Sequence, residues 1–535
     1  MTRKKCFSSC RGHPVKECNA PRCKYVNTDK TRYCRLSSKY KMKPPSCRVT
    51  RKIKKSQIVP HAQKVIQRFI LKHRNKPLAT SSETKTDKAE EKETNKIEKA
   101  SNKVAQFMRR TTQKRREQFL KTICEDSGVC IAFGKEKQKI AQFFNHFVEF
   151  DFVQPPIQRI GSSSVNGFVN EIHYRKYNYH AYSVLKSATT VKSDNLAYEY
   201  LVGQYINQKL TKFPCFLETY GLYMYATEDK WNHIKDTKTI QTNVLKDSLI
   251  LLDFFDISTA CRNSKYLAIL IQHIKQAETL GNYIKDLSNA NNYVFVAKNL
   301  VNVLYQVYFP LAMMASEFTH YDLHYNNVLL YEPVKGKHIQ YHYHVNEKTV
   351  VTFRSPYISK IIDYGRCYFK DEVERTSSTE LKDELCQNRD CDPSCGKEVG
   401  FYWFEKITSD KNYFQSAYHN NPSYDLRLLA LVREYLIKQM NNVPTYKLKP
   451  FLEFLKYLNY GVGLSEANKT KGTKPNRKSG YPRYTNNVTD AEKGLRDILL
   501  LPNFIKDNQD DYKDENKLGD LHVYTNRDMR FVPND

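Results

Sequence analysis

Glycine is scarce in this chain, with 18 residues among 535, whereas tyrosine is abundant, with 38. The low glycine content argues against a collagen-like or glycine-rich low-complexity protein. Residues 1–6 are not followed by the apolar core of a signal peptide, so we do not expect a secreted protein. The best candidate for a membrane span, residues 300–318, contains Asn, Gln, Pro and Glu. We therefore predict a buried helix there and no transmembrane segment.

Positive charge is concentrated at one end of the chain. Residues 1–120 contain 34 Lys and Arg against 9 Asp and Glu, a net charge of +25, whereas the rest contains 52 against 48, or +4. A nearly neutral body thus follows a basic arm, and such an arm is attracted to nucleic acid or to an anionic surface. A disordered solubilising tail is the alternative.

The arm is also rich in cysteine. A segment this small and this poor in apolar residues cannot fold on a hydrophobic core alone. Structural Zn²⁺, disulfides and free thiols all remain open, because no C-x-x-C pair is present and a reducing compartment disfavours disulfides. We predict a basic Cys-rich module in residues 1–55, then a basic helix and low-complexity linker in residues 56–120. The cysteines of the module are Cys6, Cys10, Cys18, Cys23, Cys34 and Cys47.

The most informative stretch of the body is His-Tyr-Asp-Leu-His-Tyr-Asn-Asn, residues 320–327. An acid five residues before an amide suits phosphoryl transfer, because Asp322 can accept a hydroxyl proton while Asn327 holds a magnesium ion on the phosphates. The alternation of His320, Asp322 and His324 allows another interpretation. On a β-strand these three side chains would share one face and could bind a metal ion.

This stretch resembles the His-Arg-Asp-Leu-x-x-x-Asn catalytic loop of protein kinases, with Asp322 as the base and Asn327 as a metal ligand. Farther along, residues 361–365 read Ile-Ile-Asp-Tyr-Gly and resemble the Asp-Phe-Gly element. That resemblance implies that Asp363 binds magnesium bridging the β- and γ-phosphates. Asp-Tyr-Gly alone is also an ordinary turn, but here it follows the first motif in the right order.

Upstream segments resemble the nucleotide-binding part of the same family. Residues 182–186, Tyr-Ser-Val-Leu-Lys, are similar to the strand whose Lys holds the α- and β-phosphates, which implies this role for Lys186. A helix predicted over residues 194–208 offers Glu199 as its partner. A surface Lys and a solvated helix Glu are the alternatives. Residues 160–169 resemble a degraded Gly-rich loop, whose backbone amides cover phosphates. This assigns nucleotide binding to Ile160, Gly161, Ser162, Gly167, Phe168 and Val169.

The pattern as a whole, over roughly residues 152–439, is similar to the serine/threonine-protein kinases of nucleocytoplasmic large DNA (giant) viruses. Residues 318–324, 359–366 and 423–427 carry this resemblance. It implies that Asp425 braces the catalytic loop from behind, and a helix N-terminal Asp favoured by the helix dipole is the alternative.

This resemblance implies an α+β fold of the bilobal protein-kinase type. A β-rich N-lobe is expected in residues 150–274 and a mainly helical C-lobe with insertions in residues 275–535. It further implies ATP as phosphate donor, Mg²⁺ or Mn²⁺ as metal, a protein as acceptor, and a location in the host cytoplasm or the virion.

Several departures leave the acceptor open. Tyr321 replaces the Arg of the catalytic loop, His324 stands where such kinases usually carry Lys, and no Ala-Pro-Glu follows Asp363. The spacing from Asn327 to Asp363 is long, and residues 340–353 within it alternate as in a β-hairpin. Asp-Leu-His also occurs in aminoglycoside and choline kinases, so a small-molecule kinase is one alternative. A pseudokinase or virion nucleic-acid-binding protein is another.

Deleting residues 1–120 tests the basic arm. Because the positive charge is local, the deletion is expected to remove most nucleic-acid affinity. The full chain should bind less tightly as salt rises, because releasing counterions into a more concentrated salt solution is less favourable. Fluorescence anisotropy with labelled DNA and RNA over a salt series measures both effects. Salt-insensitive binding, or full affinity without the arm, would contradict the prediction.

Overall fold

The computed structural model describes residues 23–28, 31–36, 135–164, 167–189, 196–252, 264–381, 420–458 and 486–534. The chain forms two compact units, Met1–Gln106 and Phe107–Asp535. In the first unit the described part is an antiparallel hairpin of β1 (Cys23–Thr28) and β2 (Thr31–Leu36). The backbone of Cys23 and Cys34 belongs to this hairpin, but their side chains lie outside what the structure describes. The other four cysteines of the module, the predicted basic helix and the linker lie outside the described residues, so the zinc or disulfide prediction stays a prediction.

The second unit contains a seven-stranded antiparallel sheet in the order β7-β3-β4-β5-β9-β6-β8. Side chains alternate between its two faces, as the two-residue period of a strand requires. A short helix, α1 (Lys135–Phe143), precedes the sheet. The strands are β3 (Ile157–Ser164), β4 (Gly167–Lys176), β5 (Tyr179–Ser187), β6 (Thr219–Tyr225), β7 (Thr239–Ile240), β8 (Leu249–Leu251) and β9 (Leu267–Gln272).

Helix α2 (Leu196–Lys209) connects β5 with β6 and is buried on most of its circumference. This confirms the predicted helix, although residue 194, its proposed cap, lies outside the described residues. The helix packs closely because Gly203 leaves room for a neighbour: a Cβ atom there would lie 2.7 Å from the Cβ of Thr219 on β6. Two further helices, α3 (Glu228–Asp236) and α4 (Thr242–Ser248), lie between β6 and β8 along the chain.

The rest of the unit is mainly helical and is built around α7 (Leu300–Met313), in which thirteen of fourteen residues are buried. The predicted buried helix is therefore confirmed. In the described part of the chain, no helix combines the length and apolarity needed to cross a membrane. The other helices are α5 (Leu280–Ile284), α6 (Ala290–Lys298), α8 (Arg427–Lys438), α9 (Thr445–Tyr457), α10 (Val488–Leu499) and α11 (Pro502–Asp511).

Two three-stranded sheets position the sequence motifs. The first has the order β10-β12-β15, and its strands are β10 (Glu278–Thr279), β12 (Val328–Tyr331) and β15 (Ile358–Ile361). Strands β12 and β15 are antiparallel, with Val328 opposite Ile361. Asn327, just before β12, and Asp363, just after β15, therefore lie at the same end of the pair. The second sheet contains β11 (Phe318–Thr319), β16 (Tyr368–Asp371) and β17 (Thr376–Ser377).

The predicted hairpin is confirmed as β13 (His338–His344) and β14 (Val350–Ser355). The C-terminal strands β18 (Lys517–Tyr524) and β19 (Arg530–Pro533) extend it to a four-stranded sheet, with β18 parallel to β13. One face packs into the core through Tyr341, Tyr343 and Leu521. The second unit thus combines helices with mainly antiparallel sheets, which agrees with the predicted α+β class.

Substituting Gly203 tests the packing of α2 on β6. Alanine is about 1 kcal/mol better than glycine within a helix. We nevertheless expect Gly203→Ala to lower the free energy of unfolding by about 1–3 kcal/mol, because the added methyl group overpacks against Thr219. Urea unfolding followed by circular dichroism measures the change. A variant as stable as the wild type would contradict the prediction, because it would show that α2 can move away from Thr219 without loss of stability.

Candidate functional site

The backbone of residues 320–327 is held by a buried carboxylate behind it. Asp425 lies in the 3-10 turn Tyr424–Leu426 that leads into α8. It accepts hydrogen bonds from the backbone N–H of His320 at 2.7 Å and of Tyr321 at 2.9 Å. Burial raises the pKa of Asp425 to about 7, against the lowering effect of these two N–H groups. These bonds support the brace and not the helix-dipole interpretation.

The loop is a turn and not a strand. Tyr321 has a φ of +60°, which a strand does not allow, so His320, Asp322 and His324 do not alternate on one face. His320 is buried with its Nε2 3.0 Å from the carbonyl oxygen of Ile362. Among the described residues no three His, Cys, Asp or Glu side chains are grouped to hold a metal ion. The strand conformation on which the metal-site interpretation of this segment was based is therefore wrong.

The carboxylate of Asp322, the predicted base, is bound by two guanidinium groups. Arg427, the first residue of α8, donates from Nη1 to Oδ1 at 2.7 Å. Arg366 donates from Nη1 to Oδ2 at 3.2 Å. His324 lies farther away, with Nε2 3.8 Å from Oδ1. Asp322 therefore sits in a positively charged environment within a largely buried turn.

Asn327 is held by two hydrogen bonds, one from its side chain and one to its backbone carbonyl. Its Nδ2 donates to the carbonyl oxygen of Asp322 at 3.0 Å, and its own carbonyl accepts from the N–H of Ile362 at 3.1 Å. The second hydrogen bond connects residues 320–327 to Ile362, the residue that precedes Asp363. Because the amide nitrogen is engaged, the amide oxygen is the atom that Asn327 can offer to a metal.

Lys186 joins three parts of the chain. From β5 it donates to Oε2 of Glu199 on α2 at 2.8 Å and to Oδ1 of Asp363 at 3.0 Å. The side chain of Glu199 is only 2% exposed, and that of Lys186 is 19% exposed. Neither residue is therefore a solvated surface charge, and both alternatives considered from the sequence are wrong.

Lys186 also influences the charge state of Asp363. Its positive charge lowers the pKa of Asp363 to about 2 despite burial. Since this pKa is below the usual value of 3.8, the ion pair stabilises the folded state above pH about 4, and its contribution is lost as the pH falls toward 2. Asp363 itself has a φ of +69°, a strained conformation of the kind that clusters at functional sites.

The predicted phosphate loop is the irregular connection of β3 and β4. The pairing shifts between Ile160 and Ser164, and Gly161 adopts a φ of +68° with no atom near its Cβ position. Gly167 permits close backbone approach, because a Cβ atom there would lie 2.4 Å from the carbonyl oxygen of Ser187. The backbone of Ser162 belongs to β3, and its side chain lies outside what the structure describes.

The strand register decides which loop side chains share a face with Lys186. Val169 is opposite both Ile160 and Lys186, so these three residues lie on one face of the sheet. Phe168 points to the other face, where it is buried under the guanidinium group of Arg159. The Phe168 side chain is therefore part of the core. This corrects the expectation that it lies at the nucleotide, because only the backbone of Phe168 can contact a nucleotide there.

The donor set around Asp363 and Asn327 fits a hard divalent cation. A carboxylate and an amide oxygen are ligands that Mg²⁺ accepts, and Mg²⁺ usually takes few protein ligands and completes its shell with water and phosphate oxygens. With Lys186 at one carboxylate oxygen of Asp363, the other oxygen can serve as the ligand.

Arg366 and Arg427 are the site residues that sequence reasoning missed. Each directly follows a recognised motif, Asp-Tyr-Gly for Arg366 and Tyr-Asp-Leu for Arg427. In a chain with 86 Lys and Arg, however, no local pattern distinguishes these two from the others. Their role becomes visible only when both are seen on the Asp322 carboxylate.

No protein-family model matches the chain, and no curated protein matches it. The geometry of the site is therefore the basis of the function proposed below.

Removing the Lys186 cation tests the three-way contact. Lys186→Met leaves two carboxylates facing each other, and losing one partner of a buried pair costs about 3–5 kcal/mol. We expect the lower end of this range, because Asp363 is 32% exposed. Lys186→Arg, which keeps the charge, should be less destabilised, and adding Glu199→Gln to Lys186→Met should recover part of the loss. Urea unfolding of all variants measures this, and equal stability of the single and double variants would contradict it.

Proposed function

We propose that this protein is an ATP-dependent phosphotransferase with a bilobal, protein-kinase-like fold. In this proposal the seven-stranded sheet with α2 is the N-lobe, and the part built around α7 is the C-lobe. The observation that carries the proposal is the contact of Lys186 with both Glu199 and Asp363, the latter 177 residues away in sequence. A purely structural role would not require a partly exposed lysine between two acids beside a strained loop.

Each residue then has a defined task. Lys186, oriented by Glu199, would bind the α- and β-phosphates of ATP, and the β3–β4 connection would cover them with its backbone amides. Asp363 and Asn327 would hold Mg²⁺ or Mn²⁺, which supplies charge neutralisation for the transferred phosphoryl group. Asp322 would orient the acceptor hydroxyl and accept its proton. Positioning and electrostatics would supply most of the rate enhancement.

The acceptor we propose is a serine or threonine hydroxyl of a protein, as the resemblance to serine/threonine-protein kinases of giant viruses implies. The presence of Lys186, Asp322, Asn327 and Asp363 in one set of contacts supports an active enzyme over a pseudokinase. The basic arm would bring nucleic acid or an anionic surface to this enzyme as a separate partner.

Neutralising the two acids tests the proposal. Asp322→Asn removes the proton acceptor and Asp363→Asn removes the metal-binding charge, so each should lower phosphate transfer from labelled ATP by about a hundredfold or more. Asp497→Asn, on the exposed side of α10, is the matched control and should transfer phosphate like the wild type.

The assay incubates the purified full chain with labelled ATP and Mg²⁺, with protein acceptors in one series and amino sugars or choline in another. Transfer only to the small molecules would replace the protein-kinase proposal by the small-molecule alternative. Asp363→Asn transferring phosphate at the wild-type rate would refute the phosphotransferase assignment itself.

A further inference from the structure

The sheet formed by β14, β13, β18 and β19 carries a second cluster of titratable side chains, on the face that does not enter the core. Tyr343 lies between His342 and His344 on β13 and is fully buried, so the two histidines point to the opposite, more exposed face. The register places His522 of β18 directly opposite His342. Three imidazole rings therefore lie together on this face.

Stacking between neighbouring rings orients these histidines. His342 and His522 are stacked, with ring centroids 4.5 Å apart and planes inclined by 12°. His344 is stacked on Tyr524 in the same way, with centroids 4.3 Å apart and planes inclined by 20°. Arg527 covers the Tyr524 ring, with its guanidinium carbon 3.7 Å from the centroid. His344 and His522 each have a ring face against a neighbour, which limits how far they can turn.

The two stacked pairs meet at two ring nitrogens. Nε2 of His344 lies 3.1 Å from Nδ1 of His522. A hydrogen bond between two imidazoles requires a proton on one nitrogen and a free lone pair on the other, so at least one of these rings is neutral. Neutral imidazole is also the form in which histidine binds a metal ion. The pair therefore already contains one nitrogen in the metal-binding form.

The separation of these nitrogens suits chelation. Zn²⁺ lies about 2.0–2.1 Å from a His nitrogen. Two nitrogens 3.1 Å apart can both meet this distance, with an angle of about 100° at the ion, which lies between the square-planar and tetrahedral values. Because χ2 of His is a soft torsion, small ring rotations can direct both lone pairs toward one ion.

We propose that His344 and His522 form a binding site for a divalent transition-metal ion such as Zn²⁺ or Ni²⁺, with water in the remaining positions. On binding, the proton between the two rings moves to the other nitrogen of its own ring, so both imidazoles bind as neutral ligands. The ion would join β18 to β13 and hold β18 and β19 in the sheet.

The surroundings of the pair select for this class of ion. Arg527 lies on the Tyr524 ring, and Arg530 is opposite His522 in the register, so a cation held by charge alone is disfavoured. Imidazole suits Zn²⁺ and Ni²⁺, whereas Mg²⁺ and Ca²⁺ prefer oxygen ligands. The site therefore requires an ion that bonds strongly to nitrogen.

The third histidine of the cluster is not a ligand in this proposal. Nε2 of His342 lies 2.9 Å from Oδ1 of Asp520, and its Nδ1 lies 3.2 Å from Oγ1 of Thr352. Both of its ring nitrogens thus have partners, and its ring lies against the face of His522 and not at the nitrogen pair. His342→Gln is therefore the matched control.

The test follows hydrogen–deuterium exchange of the full-length protein, which is first freed of metal ions with a chelator that is then removed. Adding Zn²⁺ or Ni²⁺ should slow amide exchange in β13 and β18 by about tenfold or more, because an ion that binds only the closed sheet opposes its local opening. Mg²⁺ at the same concentration should leave the exchange unchanged. The readout is local, so ions bound by the cysteines of the arm, or by the hydrogen-bonded pair His173 and His180 on β4 and β5, do not affect it.

Substitution of the histidines assigns the effect to one pair. His344→Gln and His522→Gln should each abolish the protection by Zn²⁺ and Ni²⁺, whereas His342→Gln should retain it. Metal-free exchange in α7 checks that each variant is folded. If a ligand variant does not fold, the comparison of Zn²⁺ and Ni²⁺ with Mg²⁺ on the wild-type protein still decides the question.

Three results would overturn the proposal: unchanged exchange of the wild-type protein with both transition metals, protection by Mg²⁺ as strong as by Zn²⁺, or protection that persists in folded His344→Gln and His522→Gln. Since no measurement involves phosphate transfer, the outcome is independent of the proposed phosphotransferase function.

Discussion

The contact of Lys186 with Glu199 and Asp363 is the interaction on which the rest of the site depends. It brings together a strand, a helix and a loop that belong to separate parts of the chain. The buried carboxylate of Glu199 and the partly exposed carboxylate of Asp363 repel each other and resist desolvation, and one ammonium group between them offsets both effects. The orientation of α2, the position of β5 in its sheet and the strained backbone at Asp363 must all be compatible with this one cation. Site geometry and local stability are therefore linked here.

The pair β12 and β15 explains how a long insertion leaves this arrangement intact. At the site end of the pair, Val328 faces Ile361, while at the other end Tyr331 faces Ile358. The chain leaves and re-enters at the Tyr331 end, so the hairpin β13–β14 grows away from Asn327 and Asp363. The long spacing between the two motifs, a departure in the sequence, is thus neutral for the geometry, because antiparallel pairing fixes the two ends independently of the connection.

Local features of the structure could be predicted from the sequence, and features that depend on distant pairing could not. The apolar helix and the β-hairpin each have a pattern within a few residues, and the structure contains both elements. The face of the sheet on which the Phe168 side chain lies depends on strand register, and a shift of one residue moves the side chain to the opposite face. The arginines on Asp322 depend on how a turn and a helix start converge. The pairing of β18 with β13 joins segments about 180 residues apart, which no local periodicity reports.

The pairing of β18 with β13 affects how the sheet forms during synthesis of the chain. Strand β13 needs β18 as its parallel neighbour, and β18 is the last strand but one of the described chain. While the polypeptide is being synthesised, one edge of β13 therefore remains open until β18 has left the ribosome. An uncovered edge next to Tyr341 and Tyr343 is a surface on which nascent chains can associate wrongly. The four-stranded sheet can close only after β18 has been synthesised, so the completion of this sheet is timed by the synthesis of β18.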